Sequence, residues 1–299
     1  MDKKYIDTAR KLLAEDSEVV ESILDTLYVG VGGCGALLDE AARYSLMAGG
    51  KRVRPALVLE FCRLFGGDVD RALPFAAAIE MTHTQSLIHD DLPAIDDDDL
   101  RRGRPTNHKV YGEAIAIFAG DAMTMDAYKL LVSADLEPSV LVEAVRILSA
   151  SSGESGMIRG QVIDIYGETH RLTLEELLTL HRHKTGALIR ASAQLGVLAA
   201  GYGIESPQMK AAEKYAEKVG LAFQVVDDIL DATATMEELG KSVGGDAEHN
   251  KNTFLTFYSV EDAAKYAASL TEDAIRAIEK YEGSERLISL ARYLAVRTN

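Results

Sequence analysis

The stretch MTHTQSLIHDDLPAIDDDD at residues 81–99 joins an apolar helical pattern to a run of aspartates. A second stretch of this kind, GLAFQVVDDILD, lies at residues 220–231. Its spacing puts Asp227 and Asp231 on one face of a helix, one turn apart. Carboxylates this close repel each other unless a cation lies between them. Two such clusters predict a cavity that binds several Mg²⁺ ions, because Mg²⁺ favours carboxylate and phosphate oxygens.

The composition limits the classes to which the protein can belong. With 299 residues and 47% hydrophobic content, the chain can bury a large core, in one domain or two. A net charge of −15 argues against nucleic acid and anionic membranes as partners. Cys34 and Cys62 are too few for a disulfide framework and fit a reducing cytoplasm. The charged N-terminus lacks a signal-peptide pattern, and no apolar run is long enough to span a membrane.

Apolar residues recur at helical spacing along most of the chain, and alternating strand-like runs are nearly absent. Pro74 opens one apolar segment, and Thr173 with the acids after it marks another helix start. We predict an all-α protein, a single domain over residues 1–299, with its central helices buried. The predicted helices span 6–13, 19–27, 36–47, 56–65, 113–132, 138–153, 174–200, 207–230, 260–281 and 284–296, and residues 101–108 form a basic loop.

Basic residues accompany both acidic clusters. GGKRVRP at residues 49–55 places three cations beside a glycine turn at a helix start, where backbone amides favour an anion. A solvated turn would explain this group alone, just as Lys184 inside an apolar helix could simply reach solvent. Cations nevertheless follow each acidic cluster in a glycine-containing loop, which predicts that metal ions and basic side chains together bind phosphate. These following cations are Arg101, Arg102, Lys241 and Lys251.

Six motifs make the chain resemble the trans-isoprenyl diphosphate synthases, in particular bacterial farnesyl and plant-type geranylgeranyl diphosphate synthases. The resemblance runs from about residue 36 to the C-terminus. It implies a bundle of mostly antiparallel helices around a deep central cavity, assembled as a homodimer. It also implies three Mg²⁺ ions that bridge two aspartate motifs to an allylic diphosphate, and a second pocket for isopentenyl diphosphate. The motifs are GGKRVRP (49–55), SLIHDDLPAIDDDDLRRGRPTNHKVYGE (86–113), GQVID (160–164), HRHKTGALI (181–189), FQVVDDILD (223–231) and GKSVGGD (240–246).

The same resemblance assigns roles to individual residues. The implied metal ligands are Asp90, Asp91, Asp96, Asp227, Asp228 and Asp231. The implied isopentenyl diphosphate pocket contains Lys51, Arg54, His83 and Arg102. The implied grip on the allylic diphosphate comes from Arg101, Lys184, Thr185, Gln224, Lys241 and Lys251, with Gln161 and Asp164 as polar groups of the cavity. Among these, the residues assigned to catalysis are Arg101, Lys184, Thr185 and Lys241.

These residue types suit ionisation, condensation and elimination. Cations neutralise the departing diphosphate, the double bond of isopentenyl diphosphate attacks the allylic cation, and loss of a proton completes the step. No side-chain base stands out, so the resemblance leaves the proton to the departing diphosphate. Because carbocations react with water, the cavity that holds the tail must be apolar and dry.

Product length depends on the floor of that cavity. In the resembled family, the positions four, five and eight residues before the first aspartate face the growing chain, and here they are Ser86, Gln85 and Thr82. An aromatic residue at the fifth position stops growth at C15 in short-chain bacterial enzymes, whereas this chain has Gln85. Overall similarity favours farnesyl diphosphate, which we predict because a folded glutamine could still close the floor. Geranylgeranyl diphosphate is the alternative.

Three other interpretations fit some of the motifs. A terpene cyclase would carry Asn, Ser and Glu in its second metal motif, whereas this chain has Asp227, Asp228 and Asp231. A regulatory subunit of a heteromeric prenyl synthase would lack acids from one or both motifs. A helical protein that only buffers metal would leave the glycine-flanked cations unexplained. His83 as a core histidine and Gln161 as a packing amide remain alternatives for single residues.

Overall fold

The computed structural model describes residues 3–30, 32–233 and 252–296. These residues form a helical domain, and the only strands among them make one two-residue antiparallel hairpin, β1 (Leu100–Arg101) with β2 (Arg104–Pro105). The helices are α1 (Lys3–Leu24), α2 (Ala36–Leu46), α3 (Val53–Leu64), α4 (Val69–Asp90), α5 (Asn107–Tyr111), α6 (Glu113–Leu131), α7 (Pro138–Ser152), α8 (Met157–Thr169), α9 (Leu174–His181), α10 (Ala187–Ala199), α11 (Pro207–Thr233), α12 (Val260–Ile278) and α13 (Glu285–Leu294). The prediction of an all-α fold is confirmed.

Several helices begin where the local sequence satisfies their first backbone amides. At α9, the Thr173 hydroxyl accepts a hydrogen bond from the Glu176 amide (3.3 Å), and Glu176 accepts one from the Thr173 amide (2.8 Å). This reciprocal capping box confirms the helix start predicted at Thr173. The Asp68 carboxylate caps α4 by accepting from the Asp70 amide (3.0 Å). Because of that cap, α4 starts five residues before Pro74, so the prediction that Pro74 opens the segment was wrong.

Other boundaries also differ from the predicted ones. Residues 6–13 and 19–27 belong to one helix, α1, and the stretch 101–108 contains the β hairpin and the start of α5 rather than a plain loop. Helix α8 was not predicted, although it carries the GQVID motif. Some apolar residues of α8 are exposed and others are buried. The sequence of α8 therefore lacks the single apolar stripe by which an amphipathic helix is predicted.

The predicted helix 174–200 is interrupted by a π-helical turn, Arg182–Gly186, between α9 and α10. Each π turn accommodates an extra residue, and such turns are frequently found at functional sites. Hydrophobic periodicity cannot reveal a single inserted residue, which explains why the sequence indicated one continuous helix. The turn contains Lys184 and Thr185, so their side chains leave the helix in directions that an α-helix would not give them.

The core surrounds α10, which packs against α3, α4, α7 and α11. Close packing of α10 on α3 requires Gly196, because a Cβ there would lie 2.3 Å from the Val58 carbonyl oxygen. Helix α6 packs along α4, and α8 packs on the π-helical turn. The end of α4 meets α8 through a hydrogen bond from the Gln161 amide to the Asp90 carboxylate. Across the described ranges 3–30, 32–233 and 252–296, no helix combines the length and apolarity needed to cross a membrane.

Candidate active site

The first aspartate cluster begins where α4 ends. Asp90 is the last residue of the helix, and the following chain turns back so that the Asp96 amide donates to the Asp90 carbonyl (2.9 Å). A second bond, from the Asp97 amide to the Leu92 carbonyl (3.2 Å), closes the same turn. The turn holds Asp97 at a positive φ of 48°, a strained conformation for a residue with a side chain. Asp96 therefore returns to the neighbourhood of Asp90, as a shared metal site requires.

Asp90 ends α4 and is only 8% exposed. The Gln161 amide of α8 donates to its carboxylate. Burial raises the pKa of Asp90 to about 7, with Asp96 and Asp91 adding repulsion and Lys184 opposing the increase. A cation at this position would displace the proton, because metal ligation favours the ionised carboxylate.

Asp91 contacts arginine instead of other acids. The Arg101 Nε donates to its carboxylate at 2.9 Å, and the Arg101 Nη2 also bonds to Asp98 at 2.8 Å. Burial still raises the pKa of Asp91 against the pull of Arg101. Burial disfavours the charge on Arg101, but Asp91 outweighs that effect and raises its pKa. Arg101 thus stays charged beside the first cluster, placed there by the β hairpin.

Lys184 lies opposite the first cluster. It forms an ion pair with Asp164 of α8 in the half-buried space beside the π-helical turn. Burial disfavours its charge, but Asp164 and then Asp90 overcome this and raise the pKa of Lys184. Close approach of α8 depends on Gly160, where a Cβ would lie 2.2 Å from the Lys184 backbone nitrogen. The site therefore contains a permanent ammonium near the carboxylates of Asp90 and Asp96.

The second cluster ends α11 and its members differ in environment. Asp227 accepts a hydrogen bond from the Gln224 amide group (3.2 Å) and lies near enough to Arg54 to favour its charge. Asp228 is buried, and its carboxylate accepts a hydrogen bond from the Phe254 amide (2.6 Å). One oxygen of Asp228 therefore anchors the chain that follows the second cluster, a role that the motif did not indicate. Asp231 lies one turn beyond Asp227 and is half-buried.

A basic pocket lies beside α3 and α4. The Arg54 Nη1 donates to the His83 Nε2 at 3.3 Å, and Arg102 donates to the Gly49 carbonyl. Burial, followed by the charge of Arg54, lowers the pKa of His83 well below its usual value, so this imidazole is neutral and can accept. The Arg54 Nε is buried without a hydrogen-bond partner among the described residues. That orphaned donor suits an anionic ligand.

The glycine turn brings this pocket together. Gly49 and Gly50 have φ values of 80° and 128°, which side-chain-bearing residues rarely adopt. A Cβ at Gly50 would also lie 2.8 Å from the Arg102 guanidinium carbon, so glycine allows the arginine to approach. Lys51 follows on the exposed side of the turn. The middle cation of the motif, Arg52, points instead into the core.

Arg52 is 3% exposed and pairs with Glu80 of α4 at 2.5 Å, while it also donates to the Leu46 carbonyl (2.8 Å). Its backbone has a positive φ of 47° immediately before α3. This buried pair joins α4 to the turn that carries Lys51 and Arg54. The sequence did not distinguish Arg52 from its neighbours, because all three cations share the same local pattern.

The carboxylates that the structure describes do not form a complete metal site by themselves. Within the described part of the chain, no group of three His, Cys, Asp or Glu side chains converges closely enough to hold an ion unaided. Mg²⁺ commonly binds through one or two carboxylates and completes its shell with water and substrate phosphates. Asp90 and Asp96 of the first cluster and Asp227 of the second offer oxygens of this kind. The residues therefore fit a site that Mg²⁺ and a diphosphate complete together.

The predicted floor residues lie on α4 below Asp90. The hydroxyls of Thr82 and Ser86 bond back to the helix, to the carbonyls of Ala78 (2.9 Å) and His83 (2.8 Å). The Gln85 side chain instead reaches along the helix to the His89 Nδ1 (3.0 Å). Thr185 lies in the π-helical turn beside Lys184. The predicted residues Lys241 and Lys251, together with the GKSVGGD motif, lie outside the described residues.

The all-α fold matches that of the isoprenoid synthases. A sequence profile described as polyprenyl synthetase matches residues 35–291. The chain therefore belongs to the polyprenyl synthetase family, whose members are magnesium-dependent.

Individual relatives agree with this assignment. A geranylgeranyl diphosphate synthase of Cyanophora paradoxa is 42% identical over 292 residues, covering 96% of each chain. A farnesyl diphosphate synthase of Geobacillus stearothermophilus is 44% identical and covers 90% of this chain and 91% of its own. A geranyltransferase from Helicobacter pylori, crystallised with magnesium and isoprenyl diphosphate, is 36% identical with a TM-score of 0.82, covering 95% of each chain.

Proposed function

We propose that this chain is a short-chain trans-prenyl diphosphate synthase, which condenses isopentenyl diphosphate with an allylic diphosphate. One observation carries the proposal: Lys184 and Arg101 lie among the carboxylates of the first cluster, while a separate basic pocket around Arg54 lies nearby. Two anionic groups can thus be bound side by side. The names of the similar relatives support the same reaction class.

Each group of residues has a defined task in this reaction. Arg54, with neutral His83 and Arg102, would bind isopentenyl diphosphate through its phosphates. Lys184 and Arg101 would stabilise the allylic diphosphate as its C–O bond breaks, since their charges lie where negative charge develops. When bound, Mg²⁺ would neutralise part of that diphosphate, and we propose three ions, held through Asp90, Asp91, Asp96, Asp227, Asp228 and Asp231.

The remaining steps need few protein groups. The double bond of isopentenyl diphosphate attacks the allylic cation to form the new C–C bond, and the departing diphosphate takes the proton that is lost. Thr185 would direct its hydroxyl oxygen at the cationic carbon from the π-helical turn. The Gln161 bond to Asp90 would orient that carboxylate, and Lys241 and Lys251 are proposed to complete the grip on the diphosphate. The cavity walls must be apolar so that they exclude water during the lifetime of the allylic cation.

For the product, we propose geranylgeranyl diphosphate, with farnesyl diphosphate as the second candidate. The Gln85 amide is hydrogen-bonded to His89, so its side chain lies along α4. Thr82 and Ser86 are small, and their hydroxyls bond back to their own helix. None of these three side chains is the aromatic residue that would block the floor. Geranylgeranyl diphosphate synthases are also the more frequent names among the relatives, whereas the sequence analysis put farnesyl diphosphate first on overall similarity, against the indication from Gln85.

We also propose that the active form is a homodimer located in the cytoplasm. Helix α6 exposes large apolar side chains on one side, and α8 does the same. Water contact with so many apolar groups is unfavourable, and such patches mark interaction surfaces. The cytoplasmic location rests on Cys34 and Cys62, which are both unpaired. The exposed apolar residues are Ile117, Phe118 and Met125 on α6, and Ile158, Val162 and Ile165 on α8.

A product assay tests the proposed function. The purified protein would be incubated with Mg²⁺ and labelled isopentenyl diphosphate, and dimethylallyl, geranyl and farnesyl diphosphates would be offered separately. Chromatography after phosphatase treatment would size the alcohols. Extension of farnesyl diphosphate to C20 is the expected result. A stop at C15 would favour the farnesyl synthase, and no condensation with any primer would favour a regulatory subunit.

A further inference from the structure

We propose that His89, seated against Gly120 of α6, determines product length by holding Gln85 away from the path of the growing chain. His89 would act as a positioning residue, because it acts through Gln85 and does not touch the substrate. This inference rests on the proposed function, since it concerns the floor of the same cavity.

A continuous chain of hydrogen bonds connects Gln85 to α6. The Gln85 amide nitrogen donates to the His89 Nδ1 at 3.0 Å, and the His89 Nε2 donates to the Ile117 carbonyl at 3.2 Å. The two bonds require the same tautomer, with its proton on Nε2. The Ile117 carbonyl is a fixed acceptor in the helix backbone. The imidazole thus fixes the Gln85 side chain relative to the backbone of α6.

Gly120 provides the space for this imidazole. A Cβ at Gly120 would lie 2.1 Å from the His89 Nε2, 2.6 Å from its Cδ2 and 2.8 Å from its Cε1. Every one of these atoms belongs to the same ring, so even a methyl group there would displace the ring as a whole. Asp121 lies beside the seat, with its Oδ1 4.0 Å from the His89 Nε2. The seat therefore consists of one glycine, one carbonyl and one nearby carboxylate.

Loss of the imidazole would release the glutamine. Without His89, the Gln85 amide would have to find another hydrogen-bond partner or water, because an unpaired half-buried amide is unfavourable. The neighbouring positions on α4, Thr82 and Ser86, bear small side chains whose hydroxyls bond to their own helix. The released side chain would then swing over them, into the path proposed above for a longer product. We expect this movement to favour C15 over C20.

The central experiment combines substitutions of His89 and Gln85. His89→Ala should raise the C15-to-C20 product ratio by about ten-fold or more, a typical discrimination for one apolar contact in a pocket. The double variant His89→Ala with Gln85→Ala should return the ratio to the wild-type value or below, because no amide remains to enter the path. His170→Ala is the matched control, since it removes an exposed imidazole stacked on Tyr166.

A second route tests the seat without altering His89 itself. Gly120→Ala should produce the same shift towards C15, and Gln85→Ala should reverse it. The matched control is Gly220→Ala in α11, where a Cβ would lie no closer than 3.4 Å to any neighbour. Crystal structures of the His89→Ala and Gly120→Ala variants should show the Gln85 amide moved away from position 89 and over Thr82 or Ser86.

The possible results separate this inference from the proposed function. The wild-type product alone reports whether the enzyme makes C20, while the variants report whether His89 and Gly120 act through Gln85. An unchanged product ratio in both single variants, or a shift that persists after Gln85→Ala, would overturn the inference. If the wild type were inactive, the variant structures would still test whether His89 and Gly120 position Gln85. A Gln85 amide that has not moved in those structures would contradict the inference.

Discussion

Asp90 illustrates how a single carboxylate can be prepared for a cation. It ends an apolar helix, lies almost fully buried, and has a pKa of about 7 because burial and neighbouring acids disfavour its charge. The charges of Lys184 and Arg101 oppose this increase in the pKa of Asp90 only in part. A buried carboxyl group with so strongly perturbed a pKa is typical of functional sites.

Removal of the two principal carboxylates should abolish turnover. We expect Asp90→Ala and Asp227→Ala each to lower kcat at least a hundred-fold, since the loss of one electrostatic contact to the transition state costs about that much. Steady-state kinetics at saturating Mg²⁺ would measure the effect, and circular dichroism would show unchanged helix content. Asp99→Ala is the control, because Asp99 is exposed and pairs with Lys109 (2.6 Å). Activity near wild type in either variant would remove that residue from the site.

A larger side chain at position 85 should close the floor. Tyrosine is longer and more rigid than glutamine, so Gln85→Tyr is expected to stop growth at C15 while geranyl diphosphate is still extended. The rate with geranyl diphosphate serves as the internal control, since the first condensation does not reach the floor. Continued formation of C20 by this variant would place the floor elsewhere.

At the scale of elements, the π-helical turn and the glycine contacts determine how closely the helices approach. The turn projects Lys184 towards the first cluster, and Gly160 lets α8 pack against its backbone. A different network joins the N-terminal helix to the rest. Asp16 of α1 accepts a hydrogen bond from Arg63 of α3 (2.6 Å), and Arg286 of α13 bonds to Glu60 (2.8 Å).

The Asp16 network predicts a pH dependence of stability. Burial, followed by repulsion from Glu60, raises the pKa of Asp16 to about 7, whereas an aspartate in an unfolded chain titrates at about 4. Between these values the folded protein retains a proton that the unfolded chain has lost. The free energy of unfolding should therefore fall as the pH rises from about 4 to 7, by at most about 1.4 kcal/mol per pH unit for this group.

Comparison with Asp16→Asn isolates this effect. The introduced amide cannot ionise. The free energy of unfolding of the Asp16→Asn variant, relative to that of wild type, should therefore increase from pH 4 to pH 8. Urea denaturation at several pH values would measure the difference, and Asp7→Asn on the exposed side of α1 is the control. A difference that is constant with pH would show that Asp16 does not hold the proton.

On the scale of the whole molecule, the exposed apolar sides of α6 and α8 are the main features without a partner. Phe118 and Met125 are 59% and 65% exposed and lie two turns apart on α6. Identical surfaces of two chains could cover each other, as in most symmetric dimers. The seat of His89 lies on the same helix, so assembly and product length would depend on one element.

Charged residues on this surface should separate the subunits. We expect wild-type protein to have twice the chain mass of 32.4 kDa in sedimentation, and Phe118→Glu with Met125→Glu to have the mass of one chain. Two buried charges without partners in the interface would cost several kcal/mol. Val260→Glu, at an exposed apolar residue of α12, is the control. A monomeric wild type, or a dimer that survives both charges, would contradict the proposed interface.

The sequence alone was enough for the helical fold, both aspartate clusters and the family. These features depend on hydrophobic periodicity and on residue types at a few neighbouring positions. Both can be read from the sequence without knowledge of tertiary contacts. The capping box at Thr173 was predictable for the same reason. The structure brings some of the predicted site residues together, although their roles stay predictions. One group is Asp90, Asp91, Asp96, Arg101, Gln161, Asp164 and Lys184, and another is Arg54, His83 and Arg102.

Tertiary structure alone decided which side chains became partners. Arg52 and Arg54 share one motif, yet one is buried against Glu80 and the other faces the pocket with His83. The π-helical turn at Lys184 and the seat of His89 on Gly120 were equally hidden. Such outcomes depend on contacts between helices distant in sequence, because the free energy of a buried polar group is decided by the partner that packing provides.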